Sequence, residues 1–177
     1  RQMPALEGPE CRAIELDALP PSVQLTLAGG ALCNDATLQS EPQAGCFRTL
    51  GDPTEGALLV AAGQAGLIKN EVETWLPRVA ELPFDSERKR MTTVHAVGEH
   101  SSLPGALGLL KEQGASYLAI TKGAVDGLLD LSNRVWVDGP TSLGGAEPLS
   151  PTWRERIEAG NEALAGNGMR VLGVAFR

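Results

Sequence analysis

The spacing of apolar residues changes period near Pro77, and no other feature limits the fold as tightly. Ahead of that point the signals are helical. Asp52-Pro53-Thr54-Glu55 sets a capping aspartate, a proline at the first helical position and a glutamate three residues after the cap. Leu58, Leu59, Ala62 and Leu67 then form an apolar stripe, which predicts a helix to about Leu67. Asn70 to Leu76 reads as a second short helix capped by Asn70, and Pro21 to Asn34 as a helix interrupted near Gly29-Gly30. Residues Gln39 to Arg48 read as a loop.

Beyond Pro77 the pattern is that of strands. Val79 to Pro83 is short and extended, and Arg88 to Val97 alternates, with Met91, Thr93 and His95 on one side and Thr92, Val94 and Ala96 on the other. Ser116 to Thr121 predicts a second strand, antiparallel to the first across a Gly/Ser/Pro-containing connection from Gly98 to Gly114. Gly123 to Leu131 fits a helix with Val125, Leu128 and Leu129 inward. Ser132 to Val137 is extended, and Asp138 to Pro148 is a Gly/Pro-rich loop. Ser150-Pro151 opens a last helix whose buried stripe is Trp153, Ile157 and Leu164, stopped by Gly166 to Gly168. Met169 to Phe176 is a final strand. Helices and strands mixed without regular βαβ alternation predict an α+β fold with an antiparallel sheet flanked by helices.

Composition narrows the class of protein. A chain of 177 residues is close to one domain in size, with Arg1 to Arg12 as a loose leading segment. With 42% hydrophobic residues it is not disordered by composition, and no stretch reaches the 18 or more apolar residues of a membrane helix. The net charge of −7 argues against nucleic acid as the main partner. Cys11, Cys33 and Cys46 leave one over and match no zinc spacing with His95 and His100; buried thiols, a strand histidine and a reducing setting are the better reading, with no metal site expected. There is no Walker-type phosphate loop, no dinucleotide fingerprint, no nucleophile elbow and no kinase set. No catalytic constellation is present, so binding is expected rather than chemistry.

Four separated segments, Gly51-Asp52-Pro53-Thr54-Glu55-Gly56-Ala57-Leu58-Leu59, Leu82-Pro83-Phe84-Asp85-Ser86-Glu87-Arg88-Lys89-Arg90-Met91, Thr121-Lys122-Gly123-Ala124 and Gly168-Met169-Arg170-Val171-Leu172, carry a resemblance. With Ala31-Leu32-Cys33-Asn34-Asp35, and in this order, the chain resembles the nucleotide-binding domain of P-type ATPases, the cation pumps that phosphorylate themselves on an aspartate. The wording around Asp52 resembles the calcium-pump branch, bacterial members included. The resemblance implies a twisted antiparallel sheet flanked by helices and an ATP site in which adenine enters an apolar pocket with the phosphates outward.

It also implies residue roles, each of which has a plain structural alternative. Phe84 would stack on adenine, a contact worth about 1–3 kcal/mol, or be an ordinary core phenylalanine. Glu55 would accept from the adenine amino group, or return a capping-box hydrogen bond to the Asp52 amide. Lys89 and Met91, two apart on a predicted strand, would share one pocket wall; the alternative is a lysine stem lying across methionine at the surface. Lys122 would sit beside the nucleotide and Gly123 against adenine, with Ala124 following; the alternative is a lysine at a strand-to-helix turn. Arg170 would contact phosphates under apolar cover from Leu172, or be a sheet-edge arginine. Ser86 replaces a basic residue found in some relatives, and Arg90 a small one, with Arg90 able to supply compensating charge.

The family's D-K-T-G-T phosphorylation motif, its hinge D-G-x-N-D motif and its membrane helices are missing from this sequence. The expectation is an excised cytoplasmic domain of an integral membrane pump that binds ATP without hydrolysing it. Its partners would be ATP, with Mg2+ carried by the nucleotide, and the phosphorylation and actuator domains. Lys89, Arg90, Lys122 and Arg170 would form a cationic mouth that the net charge conceals. The rival expectations are a non-catalytic interaction module and a stand-alone ATPase.

Overall fold

A computed structural model describes residues 14–41, 46–98, 105–108, 116–139 and 144–177. In chain order, α1 (Pro21–Leu32) leads to the hairpin of β1 (Thr37–Glu41) and β2 (Cys46–Leu50), then to α2 (Pro53–Gln64) and α3 (Lys69–Trp75). The strands β3 (Arg78–Asp85), β4 (Arg90–Ala96) and β5 (Tyr117–Gly123) follow. After them come α4 (Val125–Leu131), β6 (Arg134–Val137), β7 (Gly145–Pro148), α5 (Pro151–Gly166) and β8 (Gly173–Phe176). The main sheet is antiparallel in the order β3-β4-β5-β8, and β1-β2 and β6-β7 are separate two-stranded pairs. This is the expected α+β architecture.

Local chemistry explains most of the element ends. Asp52 Oδ1 accepts from the amides of Thr54 (2.8 Å) and Glu55 (3.2 Å), with Pro53 at the first helical position of α2. Those amide bonds, led by Glu55, hold the Asp52 carboxyl below the usual carboxylate range. Ser150 Oγ caps α5 by accepting from the Trp153 amide at 3.3 Å. In α3 the expected cap is displaced. The Ile68 carbonyl already takes the amides of Glu71 and Val72, so the helix starts before Asn70.

Other expectations are corrected by long-range packing. Gly29-Gly30 do not interrupt α1: the sheet lies against Gly29, and Leu58 of α2 against Gly30. A Cβ on Gly29 would come within 2.5 Å of Val174 Cγ1 and 2.9 Å of Phe176 Cζ. The stretch from Gln39 to Arg48 falls largely in the β1-β2 hairpin, paired from Thr37↔Leu50 to Glu41↔Cys46. β7 forms inside the expected 138–148 loop by pairing Ala146 with Trp136. The final strand begins at Gly173 rather than Met169. Leu164 is 43% exposed, and Trp153 and Ile157 are only half-buried. The reason is that α5 is held near its start, where Arg154 Nη2 donates to the Leu129 carbonyl at 2.8 Å and Nη1 pairs with Asp130 at 3.1 Å. Residues 1–12, and most of the expected 98–114 connection, lie outside the described residues.

The alternation on β4 holds. Met91, Thr93 and His95 are buried and stand opposite Lys122, Ile120 and Leu118 of β5, so all six share one face. α1 covers that face, and Leu25, Ala28, Leu32 and Cys33 join Leu59 of α2, Val72 of α3 and Leu76 beyond it in the core. On the opposite face the hydroxyls of Thr92 and Thr121 meet at 2.9 Å. Gly173, which alternates with Val174, lies under Leu128 of α4. His95 sits in the core, with Nδ1 2.8 Å from the Leu76 carbonyl and Nε2 2.9 Å from the Thr93 hydroxyl. Burial lowers its pKa and so favours the neutral ring, in which Nδ1 donates to that carbonyl and Nε2 accepts from the hydroxyl.

Candidate functional site

Strand direction alone gathers the candidate residues. β3 ends at Asp85, β4 begins at Arg90, β5 ends at Gly123 and β8 begins at Gly173, all at one end of the sheet. Arg90 pairs with Gly123, Met91 with Lys122, and Gly123 with Gly173. Phe84, Ser86, Lys89, Met91, Lys122, Gly123, Ala124, Arg170 and Leu172 therefore all belong to this end. Glu55 is brought to it from the first turn of α2.

Glu55 is the hub, and the capping-box alternative is the one its contacts exclude. Its carboxylate does not return to the Asp52 amide. Oε1 accepts from Lys122 Nζ at 2.7 Å, and Oε2 accepts from the amides of Asp35 (3.0 Å) and Ala36 (3.2 Å), in the turn that follows α1. The Lys122 side chain is 6% exposed and that of Glu55 17%, so the pair is shielded on most sides. Beside it, burial pushes the Cys33 thiol up, against a smaller opposing effect of the Thr93 hydroxyl. Thr54, next to Glu55, accepts at Oγ1 from Arg170 Nη1 at 3.0 Å. Arg170 lies in the segment before β8 rather than in the strand, and it is exposed.

The second half of the cluster is the β3-β4 turn. Phe84 is 64% exposed, which removes the reading of an ordinary core phenylalanine. It lies on an edge strand beside an irregularity in the pairing between Leu82 and Asp85. Asp85 Oδ1 accepts from the amides of Arg88 (2.8 Å) and Glu87 (3.0 Å), folding the turn and keeping its own carboxyl below the usual range. Ser86 and Lys89 are exposed in that turn.

Lys89 and Met91 do not share a strand face. Lys89 has a left-handed backbone (φ 51°) and precedes β4, while Met91 is buried under α1 and forms a hydrogen-bonded partner for Cys33 Sγ through its carbonyl (3.6 Å). The Lys89 carbonyl accepts from the Ala124 amide at 3.1 Å, which fastens the turn to the end of β5. Gly123 is required there. A Cβ on it would lie 2.5 Å from Arg90 Cβ and 2.6 Å from the Lys89 oxygen. Of the four cations expected to form a mouth, Lys122 is spent on Glu55, whereas Lys89 and Arg170 are exposed and Arg90 is half-buried.

A family model described as P-type ATPase, cytoplasmic domain N matches residues 22–177. The chain belongs to that family. The relatives of this N domain include the calcium-transporting ATPase of Bacillus subtilis, 36% identical over 155 residues, which is 88% of this chain and 15% of that protein. The calcium-transporting ATPase 1 of Bacillus cereus is 35% identical over 87% of this chain and 14% of its own length. A probable cation-transporting ATPase F of Mycobacterium tuberculosis is 34% identical over 85% and 14%. The N domain thus spans about one seventh of these relatives. Among its described residues no helix is long and apolar enough to cross a membrane, and no group of three His, Cys, Asp or Glu is placed to hold a metal ion.

Sequence reasoning passed over Lys69 and Arg78. Lys69 Nζ donates to the carbonyls of Asn34 and Ala36, and Arg78 Nη2 to those of Leu32 and Asn34. Both reach across more than 30 residues of chain, and no local motif announces such a contact. Asn34 was visible only as part of the Ala31-to-Asp35 segment. It is fully buried and ties the turn to α2 through the Glu55 carbonyl at 3.0 Å.

Proposed function

We propose that this N domain binds ATP at the end of the sheet formed by the β3-β4 turn, the end of β5 and the first turn of α2. In a longer pump it presents the γ-phosphate to an aspartate of a separate phosphorylation domain, driving transport of a cation, with calcium the favoured cargo from the names of the relatives. The observation that carries the reading is the exposed Phe84 ring at the same sheet end as the Glu55–Lys122 pair. Adenine stacks on Phe84, and the amino group reaches the acceptor position on Glu55 Oε1 that Lys122 leaves unfilled. Lys89, Arg90 and Arg170 are the cations left to meet the phosphates, and the phosphate oxygens carry Mg2+.

Each residue of the cluster binds or orients. Bond breaking is assigned to the phosphorylation domain, reached by rigid-body closure that brings the bound phosphate to its acceptor. The actuator domain is the other partner, and the whole lies on the cytoplasmic side of an integral membrane protein. With stacking and a few exposed cations as the main contributions, binding is weak, with a Kd on the order of 0.1–1 mM. An ATP titration of wild type and Phe84→Ala tests this. Loss of a stacking contact worth about 1–3 kcal/mol weakens binding by about 5-fold to more than 100-fold. A wild-type protein silent up to several millimolar ATP favours the interaction-module reading instead.

A further inference from the structure

The turn between α1 and β1 is held from behind by two cations that come from elsewhere in the chain. Lys69 Nζ donates to the carbonyls of Asn34 (2.5 Å) and Ala36 (3.1 Å). Arg78 Nη2 donates to the carbonyls of Leu32 (3.1 Å) and Asn34 (2.7 Å), while its Nη1 is braced by Asp35 and Glu81 at 2.8 Å each. Asn34 closes the turn from within: Oδ1 accepts from the Ala36 amide (2.8 Å), and Nδ2 donates to the Gly30 carbonyl (3.0 Å). With its carbonyls held on one side, the turn presents the amides of Asp35 and Ala36 to Glu55 Oε2 on the other.

Closing a short turn does not call for two partly buried cations on its carbonyl side. Half-burying Lys69 has a cost, seen in the direction of its pKa, which desolvation pushes down. What the arrangement delivers is a carboxylate that cannot rotate. Oε2 is fixed by two amides and Oε1 by one ammonium, leaving Oε1 a single acceptor position in a constant orientation.

We infer that Lys69 and Arg78 are positioning residues for base selection: through the carbonyls of residues 32–36 they hold Glu55 so that it accepts from an amino group on the bound purine. The inference rests on the ATP-binding reading above. Its readout is the preference for ATP over inosine triphosphate, which carries a carbonyl oxygen where adenine has its amino group. A hydrogen bond to a charged acceptor gives the wild-type chain a preference of about tenfold or more. Lys69→Met and Arg78→Met each lower that preference to about threefold or less, while the affinity for inosine triphosphate changes by less than about threefold.

A purely structural role would weaken both nucleotides alike and leave the ratio intact, and that result in either folded variant overturns the inference. A wild-type arm needs no variant. The backbone amide resonances of Asp35 and Ala36 shift with ATP and stay in place with inosine triphosphate; equal shifts with both overturn the inference. Binding of neither nucleotide by the wild type overturns the ATP reading itself, so the two failures are distinguishable.

Discussion

Replacing Glu55 by alanine takes the carboxylate away from the Lys122 ammonium, whose side chain is only 6% exposed in the native pair. Removing one partner of a buried ion pair costs about 3–5 kcal/mol, because the remaining charge stays desolvated. Two features place this case near the lower end, at about 3 kcal/mol. The Glu55 side chain is 17% exposed, so water can enter the vacated volume. The amides it releases are also partly provided for: that of Ala36 keeps Asn34 Oδ1 at 2.8 Å, and Asp35 is exposed. Set against a total stability of about 5–15 kcal/mol for a domain of ordinary size, the loss is large enough to read from urea unfolding followed by circular dichroism. Lys122→Met should then relieve the Glu55→Ala background, so that the double variant is more stable than additivity predicts by at least about 1 kcal/mol. A single-variant cost below about 1 kcal/mol, or strict additivity, would refute the view of Glu55–Lys122 as a coupled, desolvated hub.

Gly29→Ala should destabilise the chain by about 1–2 kcal/mol, because the clash with Val174 and Phe176 outweighs the roughly 1 kcal/mol that alanine gains in a helix. Thermal unfolding reads the sign, and a raised midpoint would mean that α1 does not lie so close to the sheet. Asp52→Ala should cost about 1 kcal/mol through loss of the α2 cap, checked by the same urea transition. His95 is held below its usual pKa chiefly by burial, against a smaller raising effect of the Leu76 carbonyl. The unfolded chain therefore takes up a proton near pH 6.5 before the native state does, and stability falls as pH drops below that value. Stability measured from pH 7.5 to 5 should lose that slope in a folded His95→Gln variant.

How much of this was legible in the sequence depended on whether the signal was local. The Asp52-Pro53 start of α2, the Ser150-Pro151 start of α5 and the β4 alternation rest on neighbouring residues, and all three are present. The β1-β2 hairpin and β7 were read as loops because strands of four or five residues draw their stability from the partner strand rather than from their own composition. Gly29-Gly30 looked like a break because a glycine that makes room for a neighbouring strand has the same sequence as one that ends a helix. At the site, the residues could be assembled from motif order. Their linkage could not, since Lys122 reaches Glu55 across 67 positions and Arg170 reaches Thr54 across 116. The Lys89–Met91 pairing failed for a local reason: a left-handed residue at 89 lets β4 begin only at Arg90.

The most direct test is an amide chemical-shift map of the 177-residue chain titrated with ATP. Perturbations should concentrate at one end of the sheet, in residues 84–91, 122–124 and 170–172 together with Glu55. The opposite end, around Ala96, Tyr117 and Phe176, should stay still. Shifts centred on that opposite end, or none up to several millimolar ATP, would contradict a nucleotide site built around Phe84 and the Glu55–Lys122 pair.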